Sequence, residues 1–135
     1  MIKGKDVRFW KPELSNIGDC IIGDSCVIHS HVWIGDGVVI GEHCKIQAFS
    51  FIPTGVKIGD NVFIGPRVTF TNDKYPPSDE WLDTIVEDGV SIGAGTIILP
   101  GLRLGRGCKI GAGALVTKDV PSGVITYGFP ARIRS

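Results

Sequence analysis

The sequence has no excess of charge of either sign, no long apolar run and no sign of a leader segment. Lysine and arginine number 14, and aspartate and glutamate also number 14. This balance argues against nucleic acid or an anionic membrane as a partner. No apolar stretch is long enough to span a bilayer, and the first residues lack the apolar core of a signal peptide. We therefore expect a cytoplasmic protein without a membrane span.

The 4 cysteines and 3 histidines show none of the spacings that are typical of metal sites. There is no Cys-x-x-Cys pattern, and the histidines at His29, His31 and His43 are not spaced as a zinc-binding pair. We therefore expect no metal cofactor. Cys26 and Cys44 occupy equivalent small positions in the repeat described next. This favours buried free thiols over disulfides.

The sequence does have a period of six residues. An apolar residue recurs at every sixth position, and a small or β-branched residue follows four positions later. The apolar positions are Ile22, Ile28, Ile34, Ile40, Ile46, Ile52, Ile58, Ile64 and Phe70, then Val86, Ile92, Ile98, Leu104, Ile110 and Val116. This period fits neither a helix nor an alternating strand. It predicts an all-β hexapeptide solenoid, in which three repeats close one triangular coil.

Breaks in the period divide the single predicted domain, residues 1–135. We expect a partial capping coil over 1–21, and full coils over 22–39, 40–57 and 58–75. About ten residues are then additional to the six-residue period, and we expect them to form a loop extruded over 76–85. Two further coils follow at 86–103 and 104–121, and a tail at 122–135. Loops on a rigid scaffold are common places for binding sites.

The register places five corners in one column: His29–His31, Gln47–Phe49, Gly65–Arg67, Gly93–Gly95 and Gly111–Gly113. The last two corners have the same sequence, Gly-Ala-Gly, and carry no side chain larger than a methyl group. We expect their backbone N–H and C=O groups to line a groove of roughly 15 Å, since coils stack at about 4.8 Å. The alternative is that these glycines only permit tight corners.

Three segments resemble the coenzyme A end of the hexapeptide-repeat acyltransferases: Ile110 to Ala114, Val116 to Pro121, and Gly128 to Ala131. The resemblance implies a left-handed parallel β-helix that forms a homotrimer, with acyl-CoA bound between subunits. It implies backbone contacts to the pantetheine arm from Gly93, Ala94, Gly95, Gly111, Ala112 and Gly113. It also implies that Lys118 and Arg132 contact the phosphates or the adenine.

Two further segments, Cys44 to Gln47 and Val68 to Ser78, resemble N-acetyltransferases of nucleotide-linked 3-amino sugars, which serve surface polysaccharide synthesis. The resemblance implies acetyl-CoA as co-substrate and a dTDP- or UDP-linked sugar as acceptor. Galactoside and maltose acetyltransferases carry a catalytic histidine just before a proline in a similar loop. Tyr75 occupies that position here, which argues against transfer to a hydroxyl group, because a hydroxyl needs a strong general base.

We expect Gln47 and Asn72 to lie near the thioester, and His29 or His31 to act as an acid or base unless they are merely solvated corner residues. Contacts to the sugar nucleotide are expected from Phe49, Arg67, Asp73, Lys74 and Tyr75. Trp33 and Phe51 stack on an outward face, where we expect them to cover a subunit interface. Two rival functions remain open: O-acetylation of a sugar hydroxyl, and a β-helix that binds or assembles without catalysis.

Overall fold

The computed structural model describes all residues from 1 to 135 and consists mainly of short strands in three sheets. Sheet A contains β1 (Ile2–Lys3), β4 (Ile21–Ile22), β7 (Val39–Ile40), β10 (Val56–Ile58), β13 (Thr84–Val86) and β16 (Arg103–Leu104). Sheet B contains β2 (Arg8–Phe9), β5 (Val27–Ile28), β8 (Lys45–Ile46), β11 (Phe63–Ile64), β14 (Ser91–Ile92), β17 (Lys109–Ile110), β19 (Ile125–Gly128) and β20 (Ala131–Ile133). Sheet C contains β3 (Asn16–Ile17), β6 (Trp33–Ile34), β9 (Phe51–Ile52), β12 (Thr69–Phe70), β15 (Ile97–Ile98) and β18 (Leu115–Val116).

Each coil contributes one strand to each sheet, and all strands are parallel to their neighbours except β20, which is antiparallel to β19. Successive coils pair residues that are one coil apart, as Ile28 pairs with Ile46 and Ile46 with Ile64. The predicted all-β class and left-handed parallel β-helix are therefore confirmed. We call the corner after sheet A the A–B corner, and name the B–C and C–A corners in the same way.

The core is a continuous stack of the residues that set the period. Every apolar residue at the sixth positions from Ile22 to Val116 is buried, and so are the small residues four positions later, with the exception of Leu102. The buried hydroxyl groups of Ser50 and Thr96 donate to carbonyl groups of the corners, at 2.9 Å to Gln47 and 2.8 Å to Gly93. Other buried hydroxyls pair differently, since that of Thr84 accepts from the N–H of Gly101 at 3.2 Å. Backbone groups thus satisfy the polar side chains that enter this narrow core.

Glycines directly after the buried positions are required by the close stacking of coils. A Cβ atom on Gly23 would lie 2.6 Å from the carbonyl carbon of Gly41, one coil away. At the A–B corner, an aspartate from the neighbouring coil caps the backbone beside such a glycine. The Asp60 carboxylate accepts from the N–H of Glu42 at 2.8 Å, and the Asp88 carboxylate accepts from the N–H of Asp60 at 2.8 Å. These caps satisfy donors that the coil itself leaves unpaired.

The four cysteines are free thiols and all are buried. Burial raises the pKa of Cys108 to about 11. The hydrogen bond between the stacked thiols of Cys26 and Cys44 raises the pKa of Cys44 and lowers that of Cys26. Since none of the four thiols reaches the surface, no cysteine is placed to attack a substrate.

The first coil is complete, so the predicted partial coil over 1–21 was wrong. Strands β1, β2 and β3 pair in register with β4, β5 and β6. The six-residue period is hidden because Phe9 and Ile17 are eight positions apart, and a 3₁₀ turn over Pro12–Leu14 holds the extra residues outside the coil. This turn is the only helical segment, and it is too short to cross a membrane.

The chain also continues the solenoid beyond Val120. Val120 forms a parallel bridge with Leu104 in sheet A, and β19 pairs with β17 in sheet B. The predicted tail therefore begins a seventh, incomplete coil after six complete ones. Strand β20 then folds back on β19 at the edge of sheet B.

The extruded loop spans 71–83, earlier than the predicted 76–85. Thr84 and Ile85 already pair with Val56 and Lys57, so they belong to sheet A. The neck of the loop is closed by an antiparallel bridge between Asp73 and Trp81 and by the N–H of Leu82, which donates to the Asn72 carbonyl at 2.8 Å. Within the loop, the Asp73 carboxylate accepts from the N–H of Ser78 at 2.7 Å and from its hydroxyl at 2.6 Å. We call this pair of hydrogen bonds the loop clasp.

The loop clasp depends on the charge of Asp73, whose pKa is held below its usual value of 3.8 by the hydrogen bonds from Ser78. A lowered pKa in the folded state means that the clasp is fully stabilising above pH 3.8 and is lost as the pH falls through the lowered value. We expect Asp73→Ala to accelerate hydrogen exchange of the Ser78 amide at neutral pH. Asp79→Ala, which removes a carboxylate of the same loop that takes no part in the clasp, is the control. Equal exchange in both variants would show that the clasp does not hold the loop.

Candidate functional site

The B–C corners form one column, as the register predicted. Each corner follows a strand of sheet B and precedes a strand of sheet C: His29–His31, Gln47–Phe49, Gly65–Arg67, Gly93–Gly95 and Gly111–Gly113. The third residue of each corner has a positive φ, between 58° and 72° in His31, Phe49, Arg67, Gly95 and Gly113. The column therefore presents these third positions one above another along the prism.

In the two Gly-Ala-Gly corners, the coils themselves use most of the backbone N–H groups. The N–H groups of Gly93 and Gly111 donate to the carbonyls of Ile110 at 2.8 Å and Thr126 at 2.9 Å. Those of Gly95 and Gly113 donate to the carbonyls of Pro66 at 2.9 Å and Ala94 at 2.8 Å. The groups without a backbone partner are the N–H of Ala94 and Ala112 and the carbonyls of Gly95, Ala112 and Gly113. Two donors and three acceptors are thus available to a ligand.

The glycines of these corners have two separate roles. A Cβ atom on Gly93 would lie 2.5 Å from the Ala112 nitrogen, and one on Gly111 would lie 2.7 Å from the Tyr127 Cβ atom. These two glycines are required by stacking. Gly95 and Gly113 have a φ of +72° and would direct a Cβ atom into open space. Only the second pair keeps the groove open, a distinction that the sequence alone did not reveal.

The lower half of the column carries aromatic and cationic side chains. The rings of His31 and Phe49 are stacked with 4.7 Å between centroids, and the Arg67 guanidinium lies 4.9 Å from the Phe49 centroid. His29 stacks on Trp10 at 6.2 Å. The Arg67 position lies directly next to Gly95, whose N–H donates to Pro66. A cation therefore stands at the junction between the open groove and the aromatic stack.

The loop residues lie at the C–A corner, away from this column. The Asn72 amide donates to the Thr54 carbonyl at 2.8 Å, which fixes the side chain at the root of the loop. Asp73, Lys74 and Tyr75 line a cavity of about 380 Å³ together with Leu99, Pro100, Leu102, Thr71 and Thr117. Tyr75 is 78% exposed, and none of the three histidines lies at this corner.

Lys118 and Arg132 are brought together, as the resemblance implied. They line a cavity of about 220 Å³ at the C-terminal end of the prism, with Thr126 and Ala131. Lys118 belongs to a C–A corner, since it follows β18, whereas the Gly-Ala-Gly corners lie at the other edge of sheet C.

Within a single chain, the residues of the predicted site thus lie in two separate places. Gln47, His29 and His31 lie on the B–C side of sheet C, and Asn72 lies on the C–A side. The sequence prediction that Gln47 and Asn72 share one thioester site is not met within one copy. Sequence reasoning also missed Trp81 and Thr54, which surround Asn72 and line a second cavity with it. Their position beside Asn72 depends on where the loop leaves and rejoins the coil, and the six-residue period does not show this.

The chain matches known families and proteins over much of its length. The family described as bacterial transferase hexapeptide (six repeats) matches residues 37–72 and 83–118, and a hexapeptide repeat of succinyl-transferase matches 17–52. Galactoside O-acetyltransferase of Lactococcus lactis is 38% identical over 82 residues, which cover 55% of this chain and 40% of that protein. The 2,3,4,5-tetrahydropyridine-2,6-dicarboxylate N-acetyltransferase of Staphylococcus aureus is 42% identical over 73 residues, covering 54% and 30%. The chain spans less than half the length of either relative.

Several solved structures share the fold at low sequence identity. The N-acyltransferase AntD of Bacillus cereus, crystallised with dTDP and coenzyme A, has a TM-score of 0.84 at 22% identity, covering 98% of this chain and 81% of that one. PerB of Caulobacter crescentus, crystallised with CoA and GDP-perosamine, has a TM-score of 0.73 at 21% identity, covering 99% and 54%. The acetyltransferase domain of PglB from Neisseria gonorrhoeae, with acetyl coenzyme A, has a TM-score of 0.76 at 20% identity, covering 96% and 55%.

The first family pattern covers more than half of the chain and follows the coils on both sides of the extruded loop. This protein therefore belongs to the bacterial transferase hexapeptide family.

Proposed function

We propose that this protein is an acetyl-CoA-dependent N-acetyltransferase acting on a nucleotide-linked 3-amino sugar, with dTDP or UDP as the nucleotide, in surface polysaccharide synthesis. The observation that carries the proposal is the set of unpaired groups at the Gly-Ala-Gly corners: the N–H of Ala94 and Ala112 and the carbonyls of Gly95, Ala112 and Gly113. A pantetheine arm has two amides, and these groups can pair with them along an open groove. The buried free cysteines fit a reducing compartment, in agreement with a cytoplasmic enzyme.

The chemistry proposed is direct transfer. The neutral amine of the sugar attacks the thioester carbonyl, a C–N bond forms, and the C–S bond breaks as the tetrahedral intermediate collapses. The proton lost by the amine ends on the departing sulfur, so that a strong protein base is not required. Donors near the carbonyl stabilise the oxyanion, and positioning supplies much of the acceleration. An acyl-cysteine route has no support, because all four thiols are buried.

Known relatives support the donor and the class of acceptor. Galactoside O-acetyltransferase and the S. aureus N-acetyltransferase are both acetyltransferases by name. Structural neighbours hold CoA together with GDP-perosamine or with dTDP-4-amino-4,6-dideoxyglucose, which are nucleotide-linked amino sugars. The position of the amine at C3 rests on the resemblance of Cys44 to Gln47 and Val68 to Ser78, since the AntD sugar carries its amine at C4.

O-acetylation is the second candidate, favoured by the similarity to galactoside O-acetyltransferase. It needs a general base near the acceptor hydroxyl. Within one copy the C–A corner offers the exposed Tyr75 but no histidine, so a histidine base would have to come from the B–C corner of a neighbouring copy. A thiol-release assay with nucleotide-linked amino sugars, and with the matching sugars that carry a hydroxyl, separates the candidates. Release with the amine alone is expected. Release only with the hydroxyl would establish O-acetylation, and no release with either would favour the non-catalytic β-helix.

We further propose that the active site forms between copies in a homotrimer. Gln47 and Asn72 lie at opposite edges of sheet C, so the B–C corner of one copy must meet the loop of the next for both to touch one thioester. The outward residues of sheet C beyond Phe51 are uncharged, namely Thr69, Ile97 and Leu115, which suits contact between copies.

We expect light scattering at micromolar concentration to give about three times the chain mass of 14.5 kDa. A shared site also predicts that specific activity falls when the protein is diluted below the concentration at which it dissociates. A mass of 14.5 kDa with full specific activity would contradict the proposal.

The groove is tested by adding a methyl group to it. Gly95→Ala and Gly113→Ala place a Cβ atom in the open groove, where we expect acetyl-CoA affinity to fall by about tenfold, the loss expected for roughly one hydrogen bond. Gly107→Ala is the matched control, because Gly107 has a φ of +68° and equally open surroundings but lies at an A–B corner. Calorimetric titration gives the affinities. Equal affinity in all three variants would place the donor elsewhere.

The absence of a strong base is tested by side-chain removal. Gln47→Ala, Asn72→Ala, His29→Asn and His31→Asn should each lower turnover by no more than about 10²-fold, because they remove positioning rather than proton transfer. The pH profile should follow the pKa of the sugar amine and shift with acceptors of different amine pKa. A loss of more than about 10³-fold in one histidine variant, together with loss of an ionisation near pH 6.5, would identify that histidine as a general base.

A further inference from the structure

The structure contains a cavity at the loop that shares Asn72 with the proposed transfer site and whose other lining residues have no role in the proposed reaction. It has a volume of about 390 Å³ and lies between sheet C and the root of the loop. Its lining includes Trp33 and Phe51 from sheet C, Trp81 from the loop, and Asp36, Thr54 and Asn72 from the C–A corners. We call it the aromatic cleft.

Three large rings line the aromatic cleft and remain accessible. Trp33 and Phe51 lie on neighbouring strands with 6.0 Å between ring centroids, and they are 46% and 39% exposed. Trp81 is 56% exposed, and its indole N–H donates to the Ser78 carbonyl at 3.2 Å. Ser78 is itself held by the loop clasp. The loop ring is therefore held beside the sheet rings before any ligand binds, which suits a planar ligand.

The cleft holds two acceptors that lack a protein donor, on Asn72 and Asp36. The side chains of Asn16 and Thr54, which also line it, have no protein partner either and can both donate and accept. The Asn72 amide nitrogen is occupied by the Thr54 carbonyl at 2.8 Å, so its Oδ1 atom is left to accept. One oxygen of Asp36 accepts from the N–H of Asp19 at 2.7 Å, and the other has no donor. No lysine or arginine lines the cleft. A ligand with N–H donors is favoured here, and a phosphate group is not, because Asp36 would repel it.

We propose that the aromatic cleft binds the base of the nucleotide-linked acceptor. A nucleobase is planar, stacks on aromatic rings, and carries N–H donors on its edge. The cleft lies in the lower part of the size range of small-molecule pockets, about 300–1,000 Å³, so it accommodates a nucleoside while the phosphates and the sugar extend outside it. The proposal rests on the proposed function, because it takes a sugar nucleotide to be the acceptor. The proposal differs from the expectation that Trp33 and Phe51 cover a subunit interface. The test below distinguishes these two roles.

The tryptophans of the chain provide the signal. The sequence has 3 tryptophans, and in a Trp10→Phe protein only those of the cleft remain. We expect UDP, dTDP or GDP to quench this fluorescence in a saturable way, with the same affinity as in the unaltered protein. Guanine offers two adjacent N–H donors to Asp36 and Asn72, whereas uracil and thymine each offer one, so the three titrations also rank the bases. Adenosine 3′,5′-bisphosphate, which carries the nucleoside of coenzyme A, is the comparison ligand.

Two variants in the Trp10→Phe background decide whether the rings bind the base. Trp81→Ala removes the loop ring but keeps Trp33 as reporter. Phe51→Leu removes a sheet ring while keeping much of its volume, and both reporters remain. Each should weaken nucleoside diphosphate binding at least tenfold while the calorimetric affinity for acetyl-CoA stays unchanged. Light scattering of both variants should give the unaltered mass.

Three results would overturn the proposal. Unchanged nucleoside diphosphate affinity in both variants would exclude the rings as the binding surface. Quenching by adenosine 3′,5′-bisphosphate alone would assign the cleft to the donor. A change of mass in Phe51→Leu without a change of affinity would make the cleft an interface between copies. Failure of acetyl transfer with intact nucleotide binding would contradict the proposed function and leave the cleft assignment in place, so the two failures are distinguishable.

Discussion

The structure depends on one repeated interaction, the backbone hydrogen bond from the N–H of a residue to the carbonyl just before its equivalent on the next coil. The N–H of Lys45 donates to the carbonyl of Val62 at 3.0 Å, and the N–H of Gly41 donates to that of Ile58 at 2.8 Å. Because strands paired in this way lie about 4.8 Å apart, every inward side chain lies on its own equivalent. The interior therefore accepts only a narrow range of shapes, which explains the isoleucine stacks and the small cysteine and alanine positions.

The same constraint confines variation to the corners. At most corners the third residue adopts a positive φ, whether it is glycine or not. Asn61, His43 and Ser25 are short or polar residues that tolerate this conformation at A–B corners, but Phe49 and Arg67 are bulky residues for which it is unusual. Nothing in the coil requires bulk at these two positions, since their side chains lie outside the core. The coil imposes the positive φ, and the bulk of these two side chains is compatible with the proposed role of Phe49 and Arg67 in substrate binding.

The period was sufficient to predict the fold, the B–C column and the ten additional residues of the loop, because inward positions are set by side-chain type. It could not predict details that depend on hydrogen-bond partners. The N–H groups of Gly93 and Gly111 looked available from the sequence, yet the next coil uses both. The complete first coil was missed because the Pro12–Leu14 turn breaks the count of residues without breaking the coil. The sequence motifs do not show the separation of Gln47 from Asn72, because it depends on the first lying at a B–C corner and the second at a C–A corner.

The loop gives the C–A corner two chemically different sides. On one side, Trp81 faces the same cavity as Asp36, with no cation in the lining. On the other side, Lys74 lines a cavity with Thr117, the residue before Lys118. Anionic groups are therefore disfavoured on the first side. The second side offers them the Lys74 cation, beside an Asp73 carboxylate that accepts from Ser78. Asn72 stands at the root between the two sides, fixed by Thr54. If a base binds on the first side, as proposed, Asn72 stands between that base and the cation of the second side. The proposed acceptor site and the proposed contact with a neighbouring B–C corner thus both depend on the geometry of this one loop.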